Sequence, residues 1–153
     1  GVITGTETEL NTFFDVRTVN SNQPFEWEGA RLEPVPAVHV SSPRATVHSY
    51  GLLIERDGHR TFLTTDTQFT PGRLAACYAT ADLIFHDCET GSTRTGVHPH
   101  YDDLVQLPSE VRTKTWLYGY PPGPLPNATA GGFLGFVRAG QSFELVKKRE
   151  SVV

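Results

Sequence analysis

The sequence contains no methionine and only two cysteines, Cys77 and Cys88. Two thiols are too few for a disulfide scaffold, and their spacing fits no common zinc motif. Cys77 falls in an apolar helical pattern and reads as a buried thiol packed as a small hydrophobe. The compartment expected for such thiols is the reducing cytoplasm. No apolar run approaches the roughly 18 residues that a membrane-spanning helix needs, so no membrane partner is expected. Gly1-Val2-Ile3-Thr4 lacks the charged start and apolar stretch of a signal peptide. The absence of an initiator Met suggests a chain cut from something longer. Basic residues are also few, with 13 Lys and Arg against 17 Asp and Glu and a net charge of −4. That balance argues against a large nucleic-acid-binding face.

Turn residues are plentiful, with 14 Gly and 11 Pro among 153 residues. The length suits one domain with a real core, here taken as residues 1–153. Residues 1–24 form a poorly patterned lead-in in which Phe13 to Val16 reads as a short strand. Phe25 to Glu28 alternates as a half-buried strand does. Arg31 to Val40 and Ser49 to Arg56 are further strands. Asp57-Gly58 is a strong two-residue hairpin signal, and Arg60 to Thr65 returns along it. Thr70-Pro71 then reads as an N-cap with Pro at the first helical position. A helix is expected over Arg73 to Ala79, a strand over Asp82 to His86 and a helix over Tyr101 to Leu107. Strands are expected over Thr115 to Tyr120 and Phe143 to Lys147, and 148–153 is a charged tail. An antiparallel meander followed by alternating helices and strands predicts an α/β sheet with helices on one face.

The chemically capable residues gather at strand ends. His39 closes Val35-Pro36-Ala37-Val38, Asp66 closes Thr61 to Thr65, and His86 and Asp87 close Leu83-Ile84-Phe85. Loops converge on the carboxyl ends of strands in open α/β sheets, and ligands bind there. Imidazoles and a carboxylate in such a place suit a divalent metal. Each residue also has a structural reading. Asp66 can cap a turn within Thr65-Asp66-Thr67, and a single His after a strand is often merely packed or exposed. His48 has no strand-end logic, and His59, in a hairpin turn, is expected to face solvent.

The order of the motifs is more specific than any one of them. His39 is followed by Ser49-Tyr50-Gly51-Leu52, Thr64-Thr65-Asp66-Thr67, "ADLIFHDCE", "GVHPHYDDL" and "KTWLYGY". This series resembles the second half of the metallo-β-lactamase-fold hydrolases, most of all the ribonuclease Z-like and phosphodiesterase branch, over roughly residues 25–147. The resemblance implies half of an αββα sandwich with a mostly antiparallel sheet and one apolar, uncovered face. It implies that His39 and Asp66 are metal ligands. It places His86, Glu89 of the "HDCE" loop, and His98 or His100 beside the site as catalytic or proton-donating groups. Two ions are implied in the complete fold, zinc first, with iron or manganese as alternatives. The implied activity is metal-dependent hydrolysis of a phosphodiester or related ester, on a small-molecule, nucleotide or RNA substrate, through a metal-activated water.

Two departures qualify that picture. The family's H-x-H-x-D-H motif is absent from the chain, so a missing N-terminal half or a second copy is the partner expected to complete the fold. The family also places a final metal-binding His after the "W-L-Y" strand, where this sequence has Gly119. A non-catalytic, degenerate domain is therefore the alternative reading, and an oxidoreductase on the same fold a third.

Overall fold

The computed structural model describes residues 10–41, 43 and 45–145. Seven strands form one sheet in the order β1-β2-β3-β4-β5-β6-β7. They are β1 (Phe25–Trp27), β2 (Ala30–Ser41), β3 (Thr46–Arg56), β4 (His59–Leu63), β5 (Leu83–Asp87), β6 (Thr115–Tyr118) and β7 (Gly135–Phe136). β1 to β4 pair antiparallel, and β4 to β7 pair parallel. The antiparallel share is thus half of the pairings.

The turn chemistry explains the meander. Asp57 and Gly58 both take positive φ, 51° and 71°, the geometry whose twist matches a tight hairpin. The parallel half needs crossovers. β4 reaches β5 through α1 (Pro71–Thr80). Thr70 holds the N-cap position of α1, but its side chain makes no capping bond there. The β5–β6 crossover carries two short helices, α2 (Tyr101–Leu104) and α3 (Ser109–Arg112). The single helix expected over Tyr101 to Leu107 stops early because Pro108 forces a break, and α3 restarts directly after it.

Residues two apart on a strand share a face. Phe62, Ile84 and Leu117 face the helices and pack with Leu74, Tyr78, Leu104, Val111 and Phe133 into the core. Burying a side chain of this size contributes about 1.5–3 kcal/mol. The opposite face carries Leu32, Ile54, Leu63, Phe85 and Trp116. It is partly covered where Phe143 packs its ring edge-on against Phe85 and Trp116, with centroids 4.8 and 5.3 Å away. A groove on this face, lined by Trp27, Leu32, Ile54 and Phe143 among others, encloses about 460 Å³.

Several expectations change. Phe13 to Val16 is not a strand: it follows a 3-10 turn at Leu10–Thr12, and both phenylalanines are exposed. Phe143 to Leu145 runs as irregular chain, and Val146 and Lys147 lie outside the described residues. The last strand is instead Gly135–Phe136, a two-residue pairing too short to leave a periodic signal. Cys88 is the fully buried thiol, whereas Cys77 is half-buried against the core. His59 does not face solvent. It begins β4 with a side chain 13% exposed, 3.7 Å from the Asp82 carboxylate.

Candidate metal centre at the carboxyl edge of the sheet

Each site residue is aimed by a local feature. His39 sits in the register shift between Val38 and Val40, a β-bulge in the long β2–β3 hairpin. A bulge leaves one residue unpaired and re-aims its side chain. Asp66 lies in the loop after β4, and this loop is fastened to the hairpin at three points. Ser49 Oγ donates to the Asp66 carbonyl at 2.5 Å, Thr65 Oγ1 to the Tyr50 carbonyl at 2.8 Å, and the Gln68 N–H to the Val38 carbonyl at 2.7 Å. Thr65 takes φ 53°, an uncommon state for a β-branched residue, and conformations of this kind cluster at functional sites.

Asp87 ends β5 and His98 lies in the loop that follows. The Asp87 side chain is 2% exposed, and its Oδ2 accepts from His98 Nδ1 at 2.6 Å. Oδ2 also accepts the Thr67 N–H at 3.2 Å. Burial raises the Asp87 pKa above the ordinary carboxylate value, with the bonds from His98 and Thr67 acting in the opposite direction. Asp66, Asp87 and His98 each offer a donor atom, all within 4.8 Å of one another. His39 completes the wall, its Nε2 3.9 Å from Asp66 Oδ2 and its ring centroid 5.4 Å from that of His98. Its Nδ1 is buried without a hydrogen-bond partner among the described residues. Mixed imidazole and carboxylate donors at this spacing fit a divalent cation, and a buried, unpaired imidazole nitrogen is a polar atom that the protein alone leaves unsatisfied.

The structure sets the other expected residues apart from this cluster. His86 ends up in the core because β5 alternates: Asp87 faces the donors, and its neighbour His86 turns to the helices. The His86 ring is 1% exposed as a residue. Its Nδ1–H donates to the Asp87 carbonyl at 2.8 Å, and its Nε2 accepts from Tyr78 Oη at 2.7 Å. Burial pushes its pKa down to about 4, partly opposed by the bond to the Asp87 carbonyl. With both nitrogens committed, His86 is a packing residue rather than a proton donor. His100 is likewise committed: its Nδ1 accepts the Asp102 N–H at the start of α2, and its Nε2–H donates to the Gly91 carbonyl.

Glu89 borders the same recess as His98, but its carboxylate is bonded to its own loop and not to the donors. Its buried carboxylate accepts the Thr95 N–H at 3.0 and 3.2 Å and the Thr95 hydroxyl at 2.6 Å. Its backbone bonds the Pro99 carbonyl and the Tyr101 N–H. Glu89 thereby ties both ends of the loop that presents His98. Asp87 was legible as a strand-end group, but its place among the donors was not assigned from the sequence. The period of two along Leu83 to Asp87 was the available signal, since it sends adjacent residues to opposite faces.

This sheet, with helices on one face and donors at its carboxyl edge, is that of the metallo-β-lactamase fold. It superposes on the metallo-β-lactamase-fold protein YhfI from Bacillus subtilis with a TM-score of 0.63 at 16% identity, covering 80% of this chain and 53% of that one. A putative metal-dependent hydrolase from Parabacteroides distasonis gives 0.52 at 14% identity, covering 82% of this chain and 58% of that one. The family is narrower than the fold. Residues 2–143 match the model of the anti-Pycsar protein Apyc1 family, and the chain belongs to that family. It is 32% identical over 114 residues to the anti-Pycsar protein Apyc1 of Paenibacillus harenae, across 73% of this chain and 44% of that protein. The chain therefore spans less than half the length of the curated relative it matches. Among the described residues no helix is long and apolar enough to cross a membrane.

Proposed function

We propose that the protein is a metal-dependent phosphodiesterase acting on a nucleotide substrate, with His39, Asp66 and His98 in its metal centre. The observation that carries this reading is the convergence of Asp66, Asp87 and His98 within 4.8 Å, with His39 alongside. Membership of the Apyc1 family supports it.

A divalent ion held here supplies a Lewis acid that stabilises the charge developing on a phosphoryl oxygen. The protein's own groups do the rest. Asp66, with a side chain 61% exposed, presents its carboxylate to solvent at the mouth of the site. Asp87 accepts the His98 Nδ1 proton and so fixes the tautomer, leaving Nε2 with the free lone pair. That nitrogen can ligate the ion or hold a proton for the departing oxygen. His98 also borders a recess of about 300 Å³ shared with Phe69, Gln68 and Arg94, room for a ring-sized part of a substrate. Arg94 is already held by Asp103 at 2.6 and 2.7 Å, so it shapes the recess rather than offering a free guanidinium.

The test uses the full-length protein loaded in turn with zinc, manganese and iron. Hydrolysis of bis(p-nitrophenyl) phosphate, 3′,5′-cyclic nucleotides and a short RNA is measured, with Asp66→Asn as control. Turnover with at least one metal, abolished by Asp66→Asn, is expected. Failure of every metal and substrate combination would overturn the proposal in favour of a non-catalytic domain.

A further inference from the structure

Gly119 stands where the resemblance expects a metal-binding His, which on sequence alone reads as a lost ligand. The structure shows what occupies that space. β5 and β6 are parallel with Asp87 opposite Tyr118, and the Cys88 N–H bonds the Tyr118 carbonyl at 2.8 Å. Residue 119 therefore leaves β6 beside the end of β5. Gly119 has φ 79°, and a Cβ placed on it would lie 2.6 Å from Asp87 Oδ1, against backbone at 3.8 Å. Real Cβ atoms do not approach an oxygen so closely. The Asp87 carboxylate and a side chain at 119 compete for one volume, and the left-handed backbone is itself one that glycine adopts without cost. Oδ2 accepts both hydrogen bonds described for this carboxylate, from His98 and Thr67. Oδ1 is the oxygen turned toward Gly119.

We infer that Asp87 is itself a ligand of the divalent cation, supplied from β5 in place of a side chain at 119, and that residue 119 is glycine to make room for it. The inference rests on the metal-centre reading above. It turns Gly119 from a mark of decay into half of a paired exchange. It also makes the donor set richer in oxygen, which favours harder ions such as manganese relative to an imidazole in the same role.

The experiment is metal binding, read apart from catalysis. The full-length protein is stripped and titrated with zinc, and its cobalt(II) form is followed by visible absorption. Asp87→Asn keeps the side-chain shape. It is expected to weaken zinc binding by about 100-fold or more and to change the cobalt spectrum, because one charged oxygen donor leaves the coordination sphere. An unchanged cobalt spectrum would overturn the assignment whatever the affinity, since a carboxylate that only orients His98 lies outside that sphere. Gly119→Ala is expected to lower zinc affinity at least tenfold by displacing Asp87. Its effect on melting temperature should shrink in an Asp87→Ala background, where the clash is gone. Equal effects in both backgrounds would remove the spatial exchange. If Asp66→Asn abolishes binding and Asp87→Asn does not, the metal centre stands and this inference falls. If the unmutated protein binds no divalent metal, both fall.

Discussion

Tyr78→Phe probes the division between core and site on β5. The perturbation removes one atom, the hydroxyl 2.7 Å from His86 Nε2. Tyr78 is 4% exposed and packs edge-on with Phe62 at 6.1 Å, so a Phe ring keeps that contact. What is lost is the donor to Nε2. His86 cannot turn to replace it, because its Nδ1–H is fixed on the Asp87 carbonyl. A buried acceptor left without a partner costs about 1–3 kcal/mol. Urea denaturation of the full-length protein at neutral pH should show that loss, with zinc affinity within about twofold of the parent. The pH dependence gives a second reading. His86 titrates near 6.5 when unfolded and is lowered to about 4 by burial in the folded state. Below 6.5 the unfolded chain takes up a proton that the folded chain refuses. The stability tied to neutral His86 is thus full above 6.5 and is lost as pH falls from 6.5 toward 4. The gap corresponds to roughly 3 kcal/mol for so buried a ring. A His86→Leu variant should flatten the curve in that window. The reasoning would be refuted if Tyr78→Phe left stability unchanged while weakening metal binding, since His86 would then belong to the site and not to the core.

Other perturbations test neighbouring claims. Glu89→Ala removes the acceptor of three bonds from Thr95; faster amide hydrogen exchange across residues 90–98 and a stability loss of about 1–3 kcal/mol are expected. Unaltered exchange there would show that the loop holds itself. Phe143→Ala strips the ring that lies on Phe85 and Trp116. It should cost about 1–2 kcal/mol, less than a fully enclosed Phe, and an unchanged melting temperature would show that the contact contributes nothing. A chelator should lower the melting temperature of the metal-loaded protein but not of Asp66→Asn, because a ligand that binds only the folded state stabilises it by mass action.

The sequence by itself determined the local features. Asp57-Gly58 specifies its turn because few residues accept two positive φ values in succession. The apolar periods placed β2 to β6 and α1 to within a few residues, since burial on one face demands them. The sheet class and the strand-end positions of His39 and Asp66 followed from the same patterns. Short-range signals did not reach further. Gly135–Phe136 pairs with β6 only because the chain returns there, and two residues carry no period. The facing of His86 and Asp87 was decided by which side of β5 the helices cover, so the conspicuous His went into the core and the less conspicuous Asp went to the donors. His100 and Glu89 were drawn into backbone bonds of their own loop. His39 was aimed by a bulge that exists only through its pairing with β3. Gly119 reads as an omission in one dimension. In three it is the space beside a carboxylate on a neighbouring strand, a relation between residues 87 and 119 that only a parallel pairing creates.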